Sequence, residues 1–228
     1  YDLEGVLRFF GRRAIPGIEQ VHATGVRRTL EVTHGGQRLC GWIGTAFDTD
    51  RHEVQVSIAP ELAPALPALL ARTRQALDLD AEPTLIDAAL SDMPGVPRPG
   101  VRLPSGWDGF EMAVRVILGQ QVTVAAAQTL THRLVQGFGR PVATPHAGLD
   151  RLFPDADTLA AAPAESIGTL GIVRQRVRAL QALAAEVATG RLRLTPDAPR
   201  EATLDHLRSL PGLGDWSDRV GIGQFSDP

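Results

Sequence analysis

The chain has 228 residues, and its 23 basic side chains against 26 acidic ones leave a formal charge of −3, which makes it neither a polyanion nor a basic nucleic-acid arm. All 23 basic residues are Arg and none is Lys, so no side-chain amine is available for Schiff-base catalysis. One Cys and six scattered His exclude a disulfide framework, a four-Cys zinc site and a four-Cys iron–sulfur cluster, and no metal or cofactor is expected.

In chain order, a short helix is expected over residues 2–12. Three alternating stretches follow: Val26 to Val32, Arg38 to Ile43 and Glu53 to Ile58. Gly35-Gly36 and Asp48-Thr49-Asp50 supply turn chemistry between them, which predicts an antiparallel meander. Cys40 reads as a reduced, partly buried apolar residue. A second helix is expected from Leu66 to Leu77. Residues 94–106 carry Pro94, Pro97, Pro99, Pro104 and three Gly, the best boundary in the sequence. The expected organisation is therefore a sheet-plus-helix domain over 1–93, a linker over 94–106 and an all-α domain over 107–228.

Everything after the linker reads as helix. One helix spans Phe110 to Leu118, and after Gly119-Gln120-Gln121 a second, capped by Thr123, runs to about Gln136. A third is expected over 173–188, with Val173, Val177, Leu180, Ala184 and Val187 buried, Arg174, Arg176 and Arg178 facing away, and Gly190 as its stop. A fourth runs over 201–209 with Leu204 and Leu207 as its buried stripe. Residues 165–193 hold five Arg against two acids, a local cationic face in a negative chain.

The most specific feature is Leu210-Pro211-Gly212-Leu213-Gly214, between the last of these helices and a further helical start at Asp215-Trp216. A tight turn between two helices, with Gly where the backbone must come close to something, directs N–H groups outward, and such groups bind a phosphate without any cation. The bland alternative is an ordinary helix–helix connection. The second feature, Phe110 through Ala127, is by periodicity two apolar helices joined by a polar corner in which Gln120 and Gln121 are solvated.

Taken together and in this order, the two motifs resemble the DNA-3-methyladenine glycosylase II family of the helix-hairpin-helix DNA glycosylases. The resemblance extends from Tyr1-Asp2-Leu3, Phe9 and Arg13-Ala14-Ile15, through Leu77-Asp78-Leu79, Pro99-Gly100-Val101-Arg102-Leu103-Pro104, Leu152-Phe153-Pro154 and Leu170-Gly171-Ile172, to Trp216. It implies an α+β molecule, an N-terminal antiparallel sheet domain followed by an all-α helix-hairpin-helix region, whose partner is double-stranded DNA with alkylated bases. The damaged nucleotide is flipped into an aromatic pocket and the N-glycosidic bond is hydrolysed with the help of an aspartate. Leu210 to Gly214 correspond to the phosphate-binding hairpin, Trp216 and Phe9 to pocket aromatics, and Gln121 to the residue wedged into the gap left by the flipped base. For Phe9 a core position in the first helix is an equal alternative.

Three departures from the family pattern stand out. Gln replaces an apolar wedge at Gln121, and Val220 stands where a further pocket aromatic is expected. The family's aspartate falls beyond the twelve residues that follow Trp216, while Asp215, Asp218 and Asp227 lack its surrounding motif. The catalytic residue is therefore unassigned, and the chain is expected to lack part of the C-terminal active centre. Some relatives in the superfamily cut the strand through a hairpin Lys or carry a four-Cys cluster; neither is possible here, so the activity implied is monofunctional. The rival functions are a catalytically degenerate member that binds lesions without cleaving, and a module whose sheet binds a protein or small ligand. No apolar run approaches the roughly 18 residues of a membrane span and no signal or lipidation motif is present, which predicts a cytoplasmic monomer without membrane contact.

Overall fold

The computed structural model describes residues 1–91, 93, 99–195 and 197–214. Trp216, Val220, Asp215, Asp218 and Asp227 lie outside the described residues.

Helix α1 (Leu3–Gly11) is capped by Asp2, whose Oδ1 accepts the Gly5 N–H at 3.0 Å, and it buries Val6 and Phe10. An antiparallel sheet follows in the order β1 (Glu19–His22), β2 (Gly25–His34), β3 (Gln37–Asp48) and β4 (Glu53–Ile58). Alternation predicts only the last three strands. It misses β1 because that strand is four residues long and turns a charged residue, Glu19, inward, against the apolar-in rule. The β2–β3 connection is a two-residue turn with Gly35 and Gly36 at φ +56 and +77, the type I′ geometry that only glycine adopts without strain at both positions. Cys40 is half-buried and unpaired on β3.

One face of the sheet presents Val26, Leu30, Val32 and Ile43 to Val6 and Phe10, to a 3-10 helix (Pro60–Ala65) and to α2 (Leu66–Ala76). Helix α3 (Pro83–Leu90), absent from the sequence expectation, buries none of its side chains, so its pattern has no core stripe to reveal it. The described part of the Pro-rich segment has no regular structure and is pinned to this layer: Leu103 N–H donates to Asp78 at 2.9 Å and Ser105 N–H to the Ala76 carbonyl at 2.9 Å. Trp107 then joins the same core, packing on Phe10 with ring centroids 5.4 Å apart.

The helical half contains α4 (Gly109–Gly119), α5 (Val124–Phe138), α6 (Ala156–Ala161), α7 (Ala164–Gly168), α8 (Arg174–Ala188) and α9 (Arg200–Ser209) around a core that includes Val114, Ile117, Leu118, Leu134, Leu180 and Leu183. Three expectations need correction. The stretch between α5 and α6 is not helical. It runs as an irregular strap across the sheet's other face, where Gln20 donates to the Ala147 carbonyl at 2.6 Å, Thr29 donates to that of Arg151, and Trp42 meets His146 edge to face at 4.5 Å. Val173 is the 57% exposed N-cap of α8 rather than part of its buried stripe, because periodicity cannot tell the first helical residue from the one before it. In α9 the buried pair is Thr203 and Leu207, with Leu204 half-buried. Among the described residues no helix is long and apolar enough to cross a membrane.

The two halves meet at a cluster of four charges. Arg28 on β2 pairs with Glu19 on β1 at 3.0 Å and with Glu111 on α4 at 2.5 Å; Arg115, one turn further along α4, pairs with Glu19 at 2.8 Å and Glu111 at 2.7 Å. Arg28 is 2% exposed and Glu111 3%. Burial pushes the Glu111 carboxyl up, but the guanidiniums of Arg28 and Arg115 outweigh it and hold that carboxyl below the usual glutamate range. Two cations against two anions leave no net charge inside the protein, the condition under which buried ions are tolerated.

Glu111→Ala leaves two buried guanidiniums sharing the one carboxylate of Glu19, an uncompensated buried charge, and urea unfolding at pH 7 is expected to show a loss of about 3–5 kcal/mol. A loss under about 1 kcal/mol, the scale of a surface pair, would show that the cluster does not couple the halves. Because the carboxyl's folded value is depressed, its stabilisation is complete at neutral pH and is lost as pH falls below the ordinary carboxylate range through that folded value. The alanine variant should lose this part of the acid sensitivity.

Candidate nucleic-acid interface

Helix α4 ends at Gly119, and its C-cap Gln120 leaves helical geometry at φ −59, ψ 124. The next residue, Gln121, is exposed and takes φ +54, a left-handed conformation that costs a non-glycine residue about 1–2 kcal/mol. Thr123 then caps α5, its hydroxyl accepting the Ala126 N–H at 3.2 Å. The result is a sharp corner with Gln121 exposed at its tip.

Gln120 is not the solvated joint residue that the sequence suggests. Its side-chain amide donates to the Gly212 carbonyl at 3.1 Å, and its own carbonyl accepts from the Arg176 guanidinium. Arg176, expected to face outward with Arg174 and Arg178, is therefore turned in and half-buried. The signal was available: residues two apart on a helix point to different sides, so the three Arg could not share one face.

The segment carrying Gly212 is a tight turn. Leu213 N–H donates to the Leu210 carbonyl at 3.2 Å, Pro211 occupies the second position, and Gly212 takes φ +80 in the third, the type II pattern. Leu213 is buried in the helical core and Leu210 packs partly against it, while Pro211, Gly212 and Gly214 are exposed. A Cβ on Gly212 would lie 3.2 Å from that of Ala179 on α8, so glycine is demanded both by the backbone angle and by close approach. Pro211 and Gly212 form one wall of an open cleft of about 400 Å³ whose other wall is Arg174, Gln175 and Arg178 of α8.

Of the residues singled out in the sequence, the structure brings Gln121 and the hairpin Leu210 to Gly214 to one surface through Gln120. Phe9 lies on α1, half-buried and edge to face with Phe10 at 5.5 Å, with the Arg13 guanidinium 4.1 Å from its ring centre. Phe10 rather than Phe9 is the fully buried core residue. The end of α1 is tied to the helical half by Arg115, which donates to the Arg13 carbonyl at 3.1 Å, and by His132, whose Nδ1 lies 3.3 Å from the Pro16 carbonyl.

Residues 1–108 match the AlkA N-terminal domain, and residues 114–222 match the HhH-GPD superfamily base excision DNA repair protein family. The chain is 34% identical over 222 residues to DNA-3-methyladenine glycosylase 2 of Escherichia coli, covering 95% of this chain and 74% of that protein. It is also 34% identical to the probable bifunctional transcriptional activator/DNA repair enzyme AlkA of Mycobacterium tuberculosis, of whose length it spans 44%. The 3-methyladenine DNA-glycosylase from Archaeoglobus fulgidus shares the fold with a TM-score of 0.67 at 19% identity, over 95% of this chain and 73% of that one. A four-stranded antiparallel sheet locked onto a helical core that carries a Pro-Gly turn, together with this degree of identity, places the chain in the DNA-3-methyladenine glycosylase II family of helix-hairpin-helix DNA glycosylases.

Proposed function

We propose that the protein is a monofunctional base excision repair glycosylase that flips alkylated purines of the 3-methyladenine type out of duplex DNA and hydrolyses their N-glycosidic bond. The observation that carries this reading is the Gln120–Gly212 hydrogen bond, which fixes the exposed tip residue Gln121 relative to the hairpin. A phosphate seated on the hairpin N–H groups would set the register of the strand. Gln121 would then enter the space vacated by the flipped base, where it fills volume and offers both a donor and an acceptor to the orphaned partner base. Flipping costs a few kcal/mol, and less for a badly stacked lesion, so selection begins before chemistry.

Alkylation at N3 or N7 makes the purine cationic, and an aromatic face attracts a cation by about 0.5–2 kcal/mol. Phe9, whose ring already carries the Arg13 guanidinium, and Trp216 are the residues assigned to that pocket. When the glycosidic bond breaks, its electron pair leaves with the base and neutralises it, so the leaving group needs no proton. A carboxylate stabilises the oxocarbenium-like sugar and water adds to the anomeric carbon. The hairpin has no Lys, nor has the rest of the chain, so the product is an abasic site in an intact strand. In this reading the protein works in the cytoplasm as a monomer, and the Pro-rich segment 94–106 divides a sheet unit from a helical unit that the buried charges hold together.

The test uses the protein expressed from its full open reading frame and methylated duplex DNA. Release of free 3-methyladenine or 7-methylguanine, with strand breaks appearing only after alkali, is expected; tight lesion binding without base release would instead identify a degenerate, non-cleaving member. If about four phosphates are contacted, log K should fall with log salt at a slope near −3.6, and a flat response would exclude DNA binding altogether. Gly212→Ala is expected to cost about 1–2 kcal/mol of stability through its positive φ and to weaken DNA binding in the same titration. Wild-type affinity in that variant would remove the hairpin from the interface.

A further inference from the structure

The sequence places five Arg and two acids between residues 165 and 193, and the structure sorts them. Arg191 is neutralised by Glu186, with contacts of 2.9 and 2.7 Å, and Arg193 by Asp197 at 2.5 Å. Arg176 is committed to the Gln120 carbonyl. Arg174 and Arg178 remain: both are exposed, and neither has an ion pair or hydrogen bond to any described residue. Four residues apart, they lie on the same face of α8, where like charges repel. They also stand in its first two turns, where no acidic residue offsets them and the helix dipole disfavours cations. For the folded protein alone this arrangement is unfavourable twice over.

The same two side chains and Gln175 form the wall of the cleft that faces Pro211 and Gly212, and among the described residues no carboxylate lines it. Guanidinium groups are suited to phosphate oxygens by their paired N–H geometry, and Gln175 adds a neutral donor. We propose that Arg174 and Arg178 form a second phosphate clamp, gripping the backbone of the same DNA strand beside the phosphate held by the hairpin. This inference rests on the DNA-binding reading above and assigns to two residues the electrostatic share of affinity that a chain of net charge −3 otherwise lacks. The clamp touches backbone only, so it contributes equally to damaged and undamaged DNA.

The experiment measures binding of the full open reading frame product to a fluorescent duplex containing an abasic-site analogue and to its undamaged counterpart, across a salt series. The variants are Arg174→Gln/Arg178→Gln, Arg174→Lys/Arg178→Lys and, as a hairpin control, Gly212→Ala. For the double Gln variant the slope of log K against log salt should become shallower by about two, the loss should be the same on both duplexes, and the thermal midpoint should stay unchanged or rise. The double Lys variant should keep the wild-type slope. A wild-type slope in the double Gln variant while Gly212→Ala binds weakly would overturn the clamp and leave the hairpin reading standing, and so would a loss confined to the damaged duplex. A wild-type protein with no salt-dependent affinity would bring down both.

Discussion

The arrangement of the whole molecule depends on four buried charges: Glu19 and Arg28 from the sheet, Glu111 and Arg115 from α4. An apolar contact between a sheet and a helix can slide at little cost, since hydrophobic burial is non-directional. Two guanidiniums and two carboxylates at hydrogen-bonding distance cannot, because any displacement leaves an ion buried without its partner. The cluster therefore acts as a register pin. It fixes α4 against the sheet, and α4 ends in the corner that carries Gln121.

From that corner the constraint passes on by direct hydrogen bonds. Gln120 reaches the Gly212 carbonyl with its side chain and the Arg176 guanidinium with its backbone carbonyl, so the end of α4, the start of α8 and the hairpin form one polar joint over an apolar core. Gly212 leaves no room for a side chain over Ala179, so the turn lies close on α8. Two exposed segments held at a fixed separation need this kind of support, since loops left to solvent wander. The strained φ of Gln121 fits the same logic: the corner's shape is set by its neighbours and not by the residue's own preference.

Charge also reads differently once it is placed in space. Many of the Arg residues neutralise carboxylates and tie distant segments together, as Arg38 and Arg140 do with Glu31 and Asp155 where the strap crosses the sheet. Arginine suits that role because its rigid fork can serve two acceptors at once. Net charge averages over these internal uses and says little about what the surface offers a partner. At the cleft beside the hairpin, Arg174 and Arg178 stand without an acid among the described residues even though the chain as a whole is negative.

The sequence by itself determined the elements whose signals are local: the type I′ turn at Gly35-Gly36, the Thr123 cap, the bounds of α2 and α8 to within a residue or two, and the Leu210-Pro211-Gly212-Leu213-Gly214 turn. With the order of its motifs it also determined the family, and it shows no Lys among these 228 residues. What it could not supply were features that exist only between elements distant in the chain. Glu19 falls outside the three strands that alternation predicts, and its burial is explained only by Arg28 and Arg115, which pair with it in space. Gln120 looked solvated until a carbonyl 92 residues away came within reach, and Arg176 looked like one of three equivalent cations until its neighbour's carbonyl claimed it. Local pattern reports how a segment partitions between core and water; a buried charge or a polar latch is decided by its partner, and only the tertiary structure brings the partner there.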